Sequence, residues 1–225
     1  MFISFEGPEG GGKTTQIRRL QQALEAQGHT VISTREPGGT AIGNAIRTVL
    51  LDAGNTAMGE RTEALLFNAA RAQLVDEVIE PALQQGTIVL CDRFADSTLA
   101  YQGFGRGLAM ADLTQLIAFA TAGRYPDLTI FLSVDPAVGI ERKRQSAGGE
   151  WNRLEEETLA FHERVQAGFE QLRAAEPERW FFVDAVQSID QVHRQIWRRV
   201  QESLQLCRGP YSGPLSANSS WEHAS

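Results

Sequence analysis

The sequence predicts an α/β fold, a three-layer sandwich in which helices cover both faces of a five-stranded parallel sheet. Two observations predict this fold. Five short apolar runs recur with helical patterns between them, at 2–5, 30–33, 87–91, 128–134 and 180–183. Most runs are continuous rather than alternating, which is typical of strands buried on both faces. Strands that alternate with helices are joined by right-handed crossovers, so the order indicates a parallel sheet.

The helical patterns support this order. After the first apolar run, Ile17, Leu20 and Leu24 recur at helical spacing, and Gly28 follows as a natural stop. Near the end of the chain, the pair Ser188 and Gln191 has the spacing of a capping box. One apolar helix stripe then follows, formed by Val192, Ile196, Val200 and Leu204.

The chain is long enough for one α/β domain. It has 225 residues, of which 42% are hydrophobic, enough to bury a full core. Residues 208–225 are rich in Ser, Gly and Pro, and we predict a disordered C-terminal tail there. A partner-binding peptide is the alternative for this tail. The predicted domain therefore comprises residues 1–207.

Charge and cysteine content narrow the function classes. The net charge of −7 disfavours binding to a nucleic-acid polymer, although a local cluster of donors can still bind small phosphate esters. No apolar stretch approaches the roughly 20 residues that span a bilayer, and the N-terminus lacks the layout of a signal peptide. The two cysteines form no disulfide framework, and Cys91 is predicted to be a buried free thiol. We expect a cytoplasmic enzyme without a membrane partner.

A phosphate loop is the most specific motif. Residues 7–14 read GPEGGGKT, which fits G-x-x-x-x-G-K-[ST], and they follow a predicted strand and open a predicted helix. Glycines let successive N–H groups turn around phosphate oxygens, while Lys13 supplies a mobile cation and the Thr14 hydroxyl a ligand for Mg²⁺. A Gly-rich turn without function is the alternative. The predicted ATP-binding residues are Gly7, Pro8, Glu9, Gly10, Gly11, Gly12, Lys13, Thr14 and Thr15.

Further segments follow the next strands. The sequence TREPGGT occupies 34–40, DRF occupies 92–94 and STLAYQG occupies 97–103, and a helix candidate between the first two carries LFNAAR at 66–71. Together with the phosphate loop, whose third residue is acidic, the TREPGGT, DRF and STLAYQG segments resemble thymidylate kinases in their order. The resemblance covers roughly residues 1–205. It implies the fold of a P-loop nucleoside monophosphate kinase and the transfer of the γ-phosphoryl group of ATP to dTMP, forming dTDP and ADP.

The resemblance also implies an acceptor site. Phe67 would stack on thymine and Arg71, at i+4 on the same helix face, would donate to the base. From the residues alone, a core phenylalanine and a solvated surface arginine are the alternative. Glu9 would accept from the 3′-hydroxyl of the sugar, an unusual place for an acid. The other residues implied to bind dTMP are Pro37, Arg47, Arg93, Ser97, Thr98, Tyr101 and Gln102.

Asp92 ends a predicted buried strand beside the phosphate loop. There a carboxylate can order Mg²⁺, as the aspartate of other phosphate-loop enzymes does, together with Thr14. The alternative is a structural ion pair between Asp92 and an arginine.

Residues 142–154 are predicted to form a lid, because a Gly-rich segment lies between basic residues. An arginine delivered when such a lid closes can stabilise the transferred group. Resemblance to bacterial members of the family implies that Arg153 is this catalytic arginine, with Arg142 and Arg144 close behind. The family commonly has Asp before this Arg, whereas this chain has Asn152, which leaves the anchoring of the lid open. The alternative is a solvated basic helix end.

Two rival functions stay open. Another nucleotide kinase would use the same chemistry with a different acceptor, and an ATP-dependent switch would hydrolyse ATP without a second nucleotide pocket. The resemblance also suggests a homodimer packed through helices near the acceptor site. The apolar residues at 113–119 suit either this interface or the core.

Overall fold

A five-stranded parallel sheet forms the centre of the molecule. The computed structural model describes residues 1–145 and 153–207. The strands are β1 (Phe2–Glu6), β2 (Val31–Arg35), β3 (Ile88–Asp92), β4 (Leu128–Ser133) and β5 (Trp180–Asp184), and they lie in the order β2-β3-β1-β4-β5. All neighbouring strands are parallel. The predicted fold class is confirmed.

Helices connect the strands and cover the sheet. They are α1 (Lys13–Ala26), α2 (Ala41–Leu51), α3 (Glu60–Leu74), α4 (Glu80–Gln84), α5 (Ala95–Thr98), α6 (Met110–Thr121), α7 (Pro136–Gln145), α8 (Leu159–Ala175) and α9 (Ile189–Cys207). The described part of the chain also contains two π-helical segments, Val75–Ile79 between α3 and α4 and Leu99–Gly105 after α5. Within the described residues, no helix combines the length and the apolar character needed to cross a membrane.

The core has two halves because neighbouring strand residues point to opposite faces. On one face, Ile3 and Leu90 pack with helices α1 and α9. The predicted apolar residues of these helices, from Ile17 to Leu24 and from Val192 to Val200, lie in this cluster. On the other face, Phe2 and Val89 pack with the helices that follow β2 and β3. Burial on both faces explains why the apolar runs are continuous.

The predicted helix ends are also present. The Ser188 N–H donates to Oε1 of Gln191 at 3.1 Å, and the Gln191 N–H donates to Oγ of Ser188 at 3.3 Å. These two hydrogen bonds are the capping box. Gly28 follows α1 with a φ of 84°, the left-handed conformation that ends many helices.

The topology places β1 between β3 and β4. The segments after β1 and β3 therefore lie side by side, as expected at the carboxyl ends of such a sheet. The phosphate loop follows β1, and Asp92 and Arg93 stand at the end of β3. The centre of the predicted lid, 146–152, and the predicted tail, 208–225, lie outside the described residues.

Candidate active site

A cavity of about 1120 Å³ opens at the carboxyl ends of the strands. The phosphate loop, the segment after β2, helix α3, the segment after β3 and helix α7 all line it. It brings together most of the residues predicted from the sequence. These are Glu9, Gly10, Gly11, Gly12, Lys13, Thr14, Thr15, Pro37, Arg47, Phe67, Asp92, Arg93, Ser97, Thr98, Tyr101, Gln102 and Arg142.

The phosphate loop wraps around the ammonium group of Lys13. Its Nζ donates to the carbonyl oxygens of Gly7 at 3.1 Å and Pro8 at 2.9 Å. Burial lowers the pKa of Lys13, and the neighbouring Arg93 lowers it further. Helix α7 packs closely on this loop, since there is no room for a side chain at Gly10: a Cβ there would lie 2.2 Å from the carbonyl oxygen of Gly139. The loop therefore surrounds the Lys13 ammonium group, which can bind a phosphate instead.

Thr14 and Asp92 stand together on the cavity wall. The Thr14 hydroxyl donates to Oδ2 of Asp92 at 2.9 Å. Hydroxyl and carboxylate oxygens suit Mg²⁺, which takes few protein ligands and keeps water and phosphate oxygens for the rest. The donor set therefore fits Mg²⁺ bound with a nucleotide. Within residues 1–145 and 153–207, no ion pair joins Asp92 to an arginine, which was the alternative role for this carboxylate.

Arg93 lines the cavity beside the phosphate loop. Its φ of 69° places it in the left-handed region, which is unusual for a residue other than glycine. Nη2 donates to Oε1 of Glu9 at 2.6 Å and Nη1 to Oγ of Ser97 at 3.2 Å. The guanidinium carbon lies 5.1 Å from the ring centroid of Tyr101. Several contacts therefore hold one cation beside the phosphate loop.

Glu9 remains ionised among these cations. Burial alone would raise its pKa, but Arg93, Lys13 and Lys143 outweigh burial and hold the pKa well below its usual range. The Lys143 Nζ lies 3.3 Å from Glu9 Oε2 and 2.7 Å from Glu155 Oε1. An ionised carboxylate accepts hydrogen bonds only, so Glu9 can bind a hydroxyl group.

Phe67 and Arg71 differ in their surroundings. Phe67 is half-buried and lines the cavity. Arg71 is 1% exposed, with Nη2 2.6 Å from Oε2 of Glu36, Nη1 donating to Asn68 Oδ1 at 2.8 Å and Nη2 donating to the Phe94 carbonyl at 3.2 Å. The alternative of a solvated surface arginine is therefore wrong. Its predicted contact with the base stays a prediction, since Glu36 rather than Arg71 lies on the cavity wall.

The lid arginines occupy three different places. Arg142 lines the cavity, and its Nη1 donates to the Ala185 carbonyl at 3.1 Å. Arg144 is exposed on helix α7. Arg153 is 9% exposed, with Nη2 2.5 Å from Oε2 of Glu63 and Nε 3.3 Å from the Leu50 carbonyl oxygen. The structure thus brings Arg142 to the cavity wall and binds Arg153 to Glu63.

The comparisons with known proteins decide the family. The sequence model described as thymidylate kinase matches residues 5–196, most of the chain.

The chain belongs to the thymidylate kinase family.

A curated thymidylate kinase from Roseiflexus sp. strain RS-1 is 51% identical over 214 residues, covering 91% of this chain and 95% of the relative. A thymidylate kinase from Bacillus pumilus is 49% identical over 204 residues, covering 91% and 96%. The crystal structure of thymidylate kinase from Ehrlichia chaffeensis aligns with a TM-score of 0.73 and 32% identity, covering 89% of this chain and 98% of that one. The resemblance inferred from the motifs is confirmed.

Several residues of the site were not predicted from the sequence. Glu6 is buried and accepts from the Phe94 N–H at 2.8 Å and the Ser97 hydroxyl at 2.6 Å. Burial, reinforced by Asp96, raises the pKa of Glu6 to about 8. His162 lines the cavity, and among the described residues its buried Nε2 has no hydrogen-bond partner. A carboxylate directly after the apolar run 2–5, at the end of β1, was the available signal for Glu6, and no signal marked His162.

Proposed function

We propose that this protein transfers the γ-phosphoryl group of ATP to dTMP, forming dTDP and ADP. The observation that carries this proposal is one cavity with two anion-binding groups from different segments. Lys13 lies in the phosphate loop, and Arg93 lies beside it on the segment after β3. Two anionic substrates can therefore meet end to end. Membership of the thymidylate kinase family identifies them as ATP and dTMP.

The phosphate loop binds the donor. Its backbone N–H groups and the N-terminus of α1 surround the phosphates of ATP, and Lys13 leaves the carbonyls of Gly7 and Pro8 to reach the β- and γ-phosphates. Thr14 and Asp92 would hold Mg²⁺ with this nucleotide. When bound, Mg²⁺ neutralises charge on the phosphate oxygens.

The segments after β2 and β3 bind the acceptor. Phe67 stacks on the thymine ring, while Tyr101 and Gln102 border the sugar and the base. Arg93 binds the dTMP phosphate, and Glu9 accepts from the 3′-hydroxyl. Further acceptor contacts are assigned to Pro37, Arg47, Ser97 and Thr98, which line the same cavity. Arg71 is assigned a contact with the base, and in the structure it binds Glu36, which lines the cavity.

Three features support this placement of dTMP. Arg47 donates from Nη1 to the Pro37 carbonyl at 3.1 Å, so its guanidinium group is held at the cavity wall. The Thr98 hydroxyl is buried without a hydrogen-bond partner among the described residues. A buried hydroxyl of this kind favours a ligand that supplies the missing bond. Burial raises the pKa of Tyr101 to about 12, although Arg93 opposes the shift, so the phenol stays neutral.

The transfer needs no covalent intermediate on the protein, because the acceptor is itself a phosphate anion. The protein aligns the two phosphates, neutralises their charge and excludes water. Lys13 and Arg93 supply positive charge from the two sides, and Arg142 supplies it from α7. The catalytic roles predicted for Arg144 and Arg153 stay predictions, and Arg153 would have to leave Glu63 to reach the phosphates.

The proposed assembly is a homodimer formed through α2, α3 and α6, which pack side by side. Apolar side chains on these helices are exposed, with Phe119 87% exposed, Leu65 57% and Ile42 56%. Leu113 and Ile117 are buried, so these residues of the 113–119 segment belong to the core. Light scattering should give twice the chain mass, and Phe119→Glu should shift it to one chain. A monomeric wild type would refute the homodimer.

The cytoplasm stays the predicted location.

A panel of acceptors tests the proposed reaction. Purified protein with Mg²⁺ and ATP is given dTMP, dUMP, dCMP, GMP or thymidine, and ADP release is followed. We expect the highest kcat/KM with dTMP and activity with dUMP. A preference for dCMP, GMP or thymidine would identify another nucleotide kinase, and ADP release that is independent of any acceptor would indicate an ATP-dependent switch.

A further inference from the structure

Gln102 is held in one orientation by Glu63. Gln102 lines the cavity at 1% exposure, and its Nε2 donates to Oε1 of Glu63 at 2.8 Å. An ionised carboxylate can only accept hydrogen bonds, so the amide nitrogen has to face it. This is the side-chain hydrogen bond that Gln102 makes within residues 1–145 and 153–207. Its carbonyl oxygen is the end of the amide left for a ligand.

Glu63 is itself fixed on several sides. It is 1% exposed on α3, and it accepts from Nε of Arg106 at 3.3 Å, from Nη2 of Arg106 at 3.2 Å and from Nη2 of Arg153 at 2.5 Å. Burial would raise its pKa, but hydrogen bonds from Arg106, Gln102 and Arg153 hold the pKa below its usual value. A carboxylate with two arginines stays ionised and does not become a donor. The orientation of the Gln102 amide is therefore set by its partner.

We propose that Glu63 is a positioning residue that makes Gln102 present its carbonyl oxygen, and so selects pyrimidines with an N3–H donor over cytosine. Thymine and uracil carry a hydrogen at N3, which this oxygen accepts. Cytosine carries a lone pair at N3, which would face the carbonyl oxygen without a hydrogen between them. The inference rests on the proposed function in one respect, because it needs the base of the acceptor nucleotide to lie beside Gln102.

The expected selectivity is large for a single contact. Sites that are built to hydrogen-bond a substrate group reject an analogue that lacks it by about 10⁴-fold, because buried polar groups are left unpaired. If the Gln102 amide can rotate so that its carbonyl oxygen no longer faces the base, most of this discrimination against cytosine is lost. This role also explains why Arg106 and Arg153 both bind Glu63, which does not itself line the cavity. A protonated or mobile Glu63 would no longer hold the Gln102 amide in one orientation.

Glu63→Gln tests the proposal. A glutamine at this position can donate as well as accept, so the Gln102 amide can rotate and present its NH₂ group. The ratio of kcat/KM for dTMP to that for dCMP should fall by about 10-fold or more, mainly through a higher KM for dTMP. A ratio within twofold of the wild type, measured on folded Glu63→Gln protein, would overturn the proposal.

Two controls separate positioning from a loss of structure. Arg106→Lys disturbs a partner of Glu63 but keeps the carboxylate and a positive charge, so it should lower the thermal midpoint and leave the dTMP:dCMP ratio within twofold. In a Gln102→Leu background, Glu63→Gln should change the ratio no further, because Glu63 acts through Gln102. An equal effect in both backgrounds would overturn the proposal.

A measurement on the wild type covers the case in which Glu63→Gln fails to fold. A crystal structure with dTMP should keep Gln102 Nε2 on Glu63 and place the Gln102 oxygen within hydrogen-bond distance of thymine N3. A rotated amide, or a base elsewhere, would overturn the proposal. Failure of the wild type to make dTDP would refute the proposed function, whereas dTDP formation with an unchanged ratio in Glu63→Gln would refute the role of Glu63 alone.

Discussion

Arg93 and Glu9 form an ion pair across the cavity, with Nη2 of Arg93 2.6 Å from Oε1 of Glu9. The pair joins the segment after β3 to the phosphate loop. Both side chains are partly exposed, 15% for Arg93 and 26% for Glu9, so ligands can reach them. In the proposed reaction, the acceptor phosphate binds Arg93 and the sugar hydroxyl binds Glu9. One nucleotide therefore spans both partners of this ion pair.

Arg93→Lys should lower kcat/KM for dTMP by about 100-fold. Lysine keeps the charge, but it cannot contact Glu9, Ser97 and a phosphate with one planar group. The measurement is steady-state kinetics with dTMP varied at saturating ATP. Arg124→Lys is the matched control, because Arg124 pairs with Glu80 on the surface, and it should stay within twofold of the wild type. An equal effect of both variants would contradict the account.

Glu6 should make the stability of the protein depend on pH. Its pKa in the folded protein is about 8, against 4.5 for the unperturbed side chain, so the folded state binds a proton that the unfolded state lacks. Its contribution is complete below pH 4.5 and is lost as the pH rises toward 8. The slope is about 1.4 kcal/mol per pH unit between these limits.

Glu6→Gln removes this titration and provides the test. Between pH 6 and pH 8, the free energy of unfolding of the wild type should fall relative to that of Glu6→Gln by about 2 kcal/mol. Urea denaturation of both proteins at the two pH values measures the difference. Parallel pH dependence in the two proteins would show that Glu6 does not titrate in this range.

The sheet and the phosphate loop were predictable from the sequence because their signals are local. Continuous apolar runs reflect burial on both faces, and the spacing of Gly12, Lys13 and Thr14 reflects a loop that has to turn around phosphate. Asp92 was predictable beside Thr14 because the carboxyl ends of neighbouring parallel strands share one edge. In each case, position along the chain determined position in space.

Side-chain pairing between distant segments was not predictable in the same way. Arg71 meets Glu36, which is 35 residues away, and Arg153 meets Glu63, which is 90 residues away. Helical spacing places Arg71 and Phe67 on one face, but it does not show which partner the guanidinium group binds. Glu63 is held by Gln102, Arg106 and Arg153, which lie far from it along the chain, and no periodicity in the sequence reports such packing.

Gly139→Ala should impair ATP use although Gly139 lies outside the phosphate loop. A Cβ at this position would lie 2.3 Å from the carbonyl oxygen of Glu9, so helix α7 or the loop has to move. We expect a loss of about 1–3 kcal/mol in the free energy of unfolding and a higher KM for ATP. Gly59→Ala is the control, because its Cβ would meet Thr62 Oγ1 at 3.9 Å, and it should be close to wild type.

Arg142→Ala should lower kcat more than Arg153→Ala does. Arg142 lines the cavity, whereas Arg153 is bound by Glu63 and the Leu50 carbonyl. Loss of a cation that faces the transferred group costs about 100-fold or more in kcat. Single-turnover kinetics with saturating dTMP measures both variants. A larger loss for Arg153→Ala, with an unchanged KM for dTMP, would mean that Arg153 leaves Glu63 during the reaction and acts as the sequence analysis predicts.

In the proposed reaction, one nucleotide transfers a phosphoryl group to the other within one cavity. Phosphorus NMR of the purified protein with Mg²⁺, ATP and dTMP tests it most directly, because each phosphate resonance can be assigned. We expect dTDP and ADP in equal amounts, with no change in ATP when dTMP is left out. Release of inorganic phosphate while dTMP stays unchanged would contradict it.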